Sequence, residues 1–417
     1  MTFANLGRAG LISLAACLLM APPSAAFYQM DGEGYGFSAK ASVRALGVAS
    51  RNPGDKTLYP RPSDDLEGVM ARLALEGSWG GWLAVEVNGF ALGLQNSAGA
   101  KGSSPLSLMQ AERSPLLEWG LWEDGKSKGE MALDWADIRL TSGPFDLIIG
   151  RQPVNLATTL YFTPNDFFAP FSAETFFRVY KAGVDAARLE ASLGPLAQLT
   201  LLWVAGYAQN PDTVNGYSTV MDDGRSSYLA RVSAVALDCE FTALAGKARR
   251  SNVYGGSLQG TIRDWLGVRM EGHWTEPLDK GGRRAFEGTV EIERRYPNSL
   301  DLRLALFHHG AGVEKTTDYM KLLLSGKLET PYLARWYAAA GASLEFTPLL
   351  SGQALAILNA HDNSFTVSVN AVYSISNEGE LFAGVSVPSG NRPQDGLFHS
   401  EFGARPASAS LEVRYYF

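Results

Sequence analysis

Cysteine is nearly absent: the 417 residues include only Cys17 and Cys239. That argues against a structural disulfide, a Cys-ligated metal centre and covalently attached haem. Positive charge is not in excess either. Lys and Arg total 36 against 43 Asp and Glu, a net charge of −7, which speaks against nucleic acid as a partner. After residue 26 no uncharged apolar run approaches the roughly 20 residues that a spanning helix needs. The five histidines (His273, His308, His309, His361 and His399) have no nucleophile motif around them. No paired-carboxylate or nucleotide-loop motif stands out. An enzyme, a cofactor and a resident metal are therefore not expected.

The N-terminus is different in character. Arg8 precedes an apolar stretch, Ala9 to Ala21, too short and badly flanked to span a membrane. Ser24-Ala25-Ala26 supplies small residues before a cut, so residues 1–26 read as a signal peptide and Phe27 as the mature start. Leu14-Ala15-Ala16-Cys17 offers the alternative of a lipoprotein box, but apolar residues continue through Leu18, Leu19 and Met20. Cleavage after Ala26 removes Cys17. On either reading the chain leaves the cytoplasm.

The chain as a whole is 46% hydrophobic with a mean hydropathy of −0.06. Alternation explains how so apolar a chain averages as soluble. Phe37, Ala39, Ala41, Val43 and Ala45 oppose Ser38, Lys40, Ser42 and Arg44. Leu300, Leu302, Leu304 and Leu306 oppose Asp301, Arg303 and Ala305. Roughly 18 such segments follow one another, starting near residues 35, 66, 82, 132, 146, 182, 198, 226, 240, 253, 267, 285, 299, 332, 352, 364, 380 and 408. Every second connection is tight, such as 193–197 or 237–239. Most of the others are long: 51–65, 91–130, 153–180, 207–225, 310–330 and 388–407. A soluble sandwich has no reason to segregate its loops in this way. The pattern implies an all-β fold, a transmembrane antiparallel β-barrel of about 18 strands (16–18), residues 27–417, with short periplasmic turns and long extracellular loops.

The last seven residues carry a second signal. Leu411, Val413, Tyr415 and Phe417 share one face of a strand, and Glu412, Arg414 and Tyr416 share the other. A strand closed by a terminal aromatic resembles the C-terminal signature of bacterial outer-membrane β-barrels. The resemblance implies that the barrel insertion machinery reads Tyr415 and Phe417.

A barrel of 16 to 18 strands is too wide for its own side chains to fill. Its inward positions are charged: Lys40, Arg44, Arg72, Arg139, Arg269, Glu271, Asp301 and Arg303 are candidate lumen-lining residues, among others such as Glu76, Glu291, Glu412 and Arg414. The segment from Gly143 through Gly150-Arg151-Gln152, Thr163-Pro164-Asn165-Asp166 and Arg178-Val179-Tyr180-Lys181 resembles large bacterial outer-membrane porins of the phosphate-selective and substrate-specific kinds. That resemblance covers about 45 residues and the two termini. It implies that the loop 153–180 folds into the barrel and narrows it. The loop is apolar enough to pack on a wall, through Leu160, Tyr161, Phe162, Phe167, Phe168, Phe171, Phe176 and Phe177. Arg151, Asp166, Glu174, Arg178, Lys181, Asp185 and Arg188 are then expected at the pore constriction; the alternative is that Arg151 and Asp185 form a structural ion pair.

The expected function is passive or substrate-selective diffusion of small solutes or ions across a bacterial outer membrane. The expected partners are outer-membrane lipid, the insertion machinery and those solutes. A homo-trimer is implied by the porin resemblance. The alternative is a sheath for a partner protein such as a multihaem cytochrome. The long loop 91–130, with Pro105, Leu106, Leu108, Leu116, Leu117, Trp119, Leu121 and Trp122, is expected to latch onto a neighbouring protomer or a partner.

Overall fold

A strand of alternating residues buries one face and solvates the other, and here the apolar face is the one exposed. The computed structural model describes residues 27–99, 111–175, 178, 180–263, 265–325 and 330–417. The signal-peptide reading, Phe176, Phe177, and residues 105–108 lie outside these. Eighteen antiparallel strands close into one barrel. The first nine are β1 (Tyr35–Arg51), β2 (Ser63–Trp79), β3 (Leu83–Asn96), β4 (Ser127–Ser142), β5 (Phe145–Gln152), β6 (Val184–Ser192), β7 (Ala197–Val204), β8 (Ser227–Ala236) and β9 (Cys239–Ala248). The others are β10 (Ser251–Ile262), β11 (Leu266–Pro277), β12 (Ala285–Arg295), β13 (Asp301–His309), β14 (Trp336–Thr347), β15 (Leu350–Asn359), β16 (Phe365–Ser374), β17 (Gly379–Ser389) and β18 (Ala407–Tyr416).

On β13, Leu302, Leu304 and Leu306 are exposed while Ala305 and Phe307, on the opposite face, are buried. On β18, Leu411 is exposed beside buried Glu412 and Arg414. A continuous exposed apolar belt is untenable in water and is the surface that a bilayer solvates. Trp79, Trp82, Trp265, Trp274 and Trp336 are exposed near strand ends. Trp135 is committed elsewhere, its Nε1–H donating to the Lys181 carbonyl at 2.8 Å.

The first and last strands join from Ser42 opposite Tyr416 to Arg51 opposite Ala407. Phe417 extends that seam: its N–H donates to the Ala41 carbonyl at 2.8 Å, and Ala41 returns the bond at 3.3 Å. Closure leaves no long unpaired edge. A short strand, Phe27–Gly32, pairs with residues 35–40 and continues the wall below Phe417.

A second patch mends a shorter strand. β5 has only 8 residues beside the 16 of β4, so the long-loop half of β4 would lack a neighbour on that side. The strand Glu118–Asp124 takes that place, from Glu118 opposite Ala132 to Asp124 opposite Ser127. The Trp122 indole sits against Gly129, where an added Cβ would come within 2.1 Å of it. The described part of the long second loop thus latches onto its own barrel. Arg225 forks onto Glu112 at 2.8 and 2.7 Å, and the Ser114 N–H donates to Asp185 at 2.7 Å.

Candidate functional site

Past Gln152 the chain leaves the wall and crosses the interior, returning at β6. A loop inside a barrel has no strand partner, so its amides need other acceptors. Two wall carboxylates supply them. Glu271 on β11 accepts the N–H groups of Thr158, of Thr159 at 3.1 Å and of Asn165 at 3.1 Å. Glu291 on β12 accepts those of Leu160 at 2.8 Å and Tyr161 at 2.6 Å. The Thr158 hydroxyl meets Ser257 at 2.8 Å, and the Asn165 amide reaches the Gly256 carbonyl at 3.1 Å. Phe162 stacks on Phe307 with ring centroids 4.8 Å apart, with Tyr332 edge-on at 5.2 Å.

The returning limb is held from the long-loop side. Arg405 bonds Glu174 at 2.9 Å, Glu401 at 3.1 Å and the Pro331 carbonyl at 3.1 Å. Glu401 also accepts from Tyr337 and, at 2.9 Å, from Asn359. Asp362 accepts from Tyr319 at 3.1 Å and from the Glu401 N–H at 2.8 Å. Residues 310–325, 330–335, 360–364 and 390–406 therefore interlock with the third loop around one shared core of Tyr161, Phe162, Tyr319, Tyr332, Tyr337 and Phe402.

The seven residues expected at the constriction do not form one cluster. Arg151, 2% exposed, sits in the wall seam. Its Nε donates to Asp185 at 2.8 Å, and its other nitrogens reach the Leu133 and Ser114 carbonyls at 3.1 and 2.6 Å. Asp185 further accepts the Tyr207 hydroxyl at 3.0 Å. Asp166 and Lys181 pair with each other inside the loop, and Lys181 also reaches the Ala169 carbonyl at 3.1 Å. Arg178 spends its donors on the carbonyls of Thr175, Leu160, Ser172 and Ala173. Glu174 meets Arg405, as above, and Arg188 lies 3.3 Å from Glu190. Within this set the geometry makes wall and loop anchors of all but Arg188.

Seven of the eight lumen-wall candidates divide by burial and pairing, and Glu271 is described above. The more exposed charges are Lys40, which pairs loosely with Glu76 at 3.5 Å, Arg139, Asp301, and Arg269, which meets Glu293 at 3.0 Å. Arg44 and Arg72 are buried and paired, and Arg303 is nearly so. Arg44 binds Glu412 at 2.5 Å, which Arg414 also reaches at 2.8 Å. Arg72 binds Asp134 at 2.8 Å and Asn88 at 2.6 Å, with its guanidinium 4.2 Å from the Tyr180 ring. Arg303 contacts Glu293, lies 3.5 Å from Glu291, and faces the Tyr161 ring at 5.8 Å. At the terminus, the Tyr415 and Phe417 rings lie 4.9 Å apart.

No protein-family model matches the sequence, and no curated protein matches it either. Solved structures do match. A BenF-like porin from Pseudomonas fluorescens Pf-5 superposes with a TM-score of 0.60 at 10% identity, over 91% of this chain and 98% of that one. OccD3 (OpdP) of Pseudomonas aeruginosa gives 0.55 at 12% identity, over 96% and 97%. OccAB3 of Acinetobacter baumannii gives 0.55 at 13%, over 91% and 99%. The fold is that of an outer-membrane porin.

In this porin-like fold the anchoring contacts of Glu271 and Glu291 are not legible in the sequence, where both read as lumen charges. One signal points to them. An apolar loop without strand periodicity needs acceptors for its amides, and unpartnered wall acids facing inward are the natural supply.

Proposed function

We propose that the chain is an outer-membrane porin giving passive, substrate-selective diffusion of small solutes or ions. One observation carries the reading: a closed barrel, apolar outside and charged inside, holds a loop docked across its own lumen. Such a loop narrows the bore without sealing the wall, which is what selection by size and charge requires. Lys40, Arg139, Arg269 and Asp301, the less buried wall charges, set the ionic preference. The anchored residues Arg151, Asp166, Glu174, Arg178, Lys181 and Asp185 set the shape.

Export follows the signal peptide 1–26, and the insertion machinery recognises Tyr415 and Phe417 in the closing strand. Self-association into trimers is a further part of this reading. The cytochrome sheath has no observation in its favour, and the docked third loop takes up space in the lumen that such a partner would need. Liposome swelling tests the proposal. Vesicles carrying residues 27–417 should swell in small charged or polar solutes and exclude large sugars. Vesicles that hold a folded barrel yet admit no solute would overturn it.

A further inference from the structure

We infer that Glu271 and Glu291 are positioning residues of the transport path: two wall acids that hold the third loop in register through its backbone. The inference deepens the porin reading above and rests on it for the word transport. The geometry itself stands apart from that reading.

Five amides, those of residues 158, 159, 160, 161 and 165, converge on two carboxylates from strands more than one hundred residues away. Glu271 is 5% exposed, and no cation pairs with it among the described residues. A buried carboxylate without a counter-cation is costly unless backbone dipoles replace the lost water. Here the loop supplies those dipoles, so the wall acid and the loop stabilise each other. Glu291 differs in one respect, since Arg303 lies 3.5 Å away and shares its charge. Glu271 therefore depends on the loop more completely, and the loop on it.

A carboxylate is an acceptor at both oxygens, whereas a glutamine presents an NH2 at one of them. E271Q keeps the shape and turns one acceptor into a donor facing N–H groups. Loss of charge-assisted bonds should accelerate amide exchange at residues 158, 159 and 165 by about tenfold or more, with strand amides unchanged. E291Q should do the same at residues 160 and 161. In planar bilayers both variants should show raised open-channel noise and larger steps. A disulfide between loop and wall (T158C with S257C, in a C239A background) should restore quiet steps to E271Q.

If E271Q does not fold, E271D, which keeps a shortened carboxylate, should show the same local acceleration to a smaller degree. Exchange at residues 158–165 that stays at the unchanged protein's rate in these variants overturns the inference. So does acceleration spread evenly over the strands, which would mark a merely structural role. A silent but folded unchanged protein would instead overturn the porin reading, while the exchange pattern would still decide this one.

Discussion

Replacing Lys181 alone separates a structural role from a selective one. Asp166 and Lys181 are 6% and 8% exposed and lie among Phe167, Phe168, Ala169 and Ala182. K181M leaves Asp166 buried without its partner, a change that usually costs about 3–5 kcal/mol. Arg249 also acts on Asp166, which places the loss near the lower end of that range. A loss of about 3 kcal/mol raises the open population of the loop roughly a hundredfold. Exchange at the Phe168 amide, which donates to Asp166 at 3.4 Å, reports it. The double variant D166N/K181M removes both charges and should fall close to the unchanged protein. Reversal potentials in a salt gradient should not move in the double variant, because a buried neutral pair offers no field to a passing ion. A double variant that shifts the reversal potential while the loop amides stay protected would refute this reasoning and restore the pair to the selective constriction.

Three further outcomes follow from the same packing. Burial holds Glu401 above the usual carboxylate range, although Arg405 and Tyr337 pull it back. The folded state therefore binds this proton more tightly than the unfolded chain. The loop cap should be firmest below the ordinary glutamate value of about 4.3 and weaken as pH rises through the folded value. Exchange of the 390–406 amides at pH 4.5 and pH 8 checks the sign, and E401Q should flatten the dependence. F162A removes a ring stacked on Phe307 and should loosen the third loop by about 3–5 kcal/mol, read by protease cleavage within 153–183. G150A places a Cβ 2.3 Å from the Ala136 carbonyl at a φ of +128°, so β4 and β5 should fail to pair and the refolding yield should collapse.

Most of the barrel was legible because a strand's period is local. The expected starts near 35, 82, 146, 198, 240 and 285 fall within two residues of those observed. The misses have physical causes. β4 was expected near 132 and begins at Ser127, because its polar first residues are paired by Glu118–Asp124, a partner that no local pattern announces. β14 was expected near 332 and begins at Trp336, because Tyr332, Leu333 and Ala334 are buried in a loop core instead. The site was legible in residue type and much less in pairing. Arg151 pairs with Asp185, and Lys181 with Asp166 fifteen residues away. Glu174 found Arg405, more than two hundred residues along the chain. Long-range pairing of charges across a closed barrel leaves no trace in spacing.

Single-channel recording on refolded residues 27–417 tests the central claim most directly. The account predicts discrete ohmic steps whose reversal potential in a salt gradient shifts with R139Q and R269Q, yet stays put with R151Q. A folded barrel that remains electrically silent, or a reversal potential that follows Arg151 and ignores Arg139 and Arg269, would contradict it.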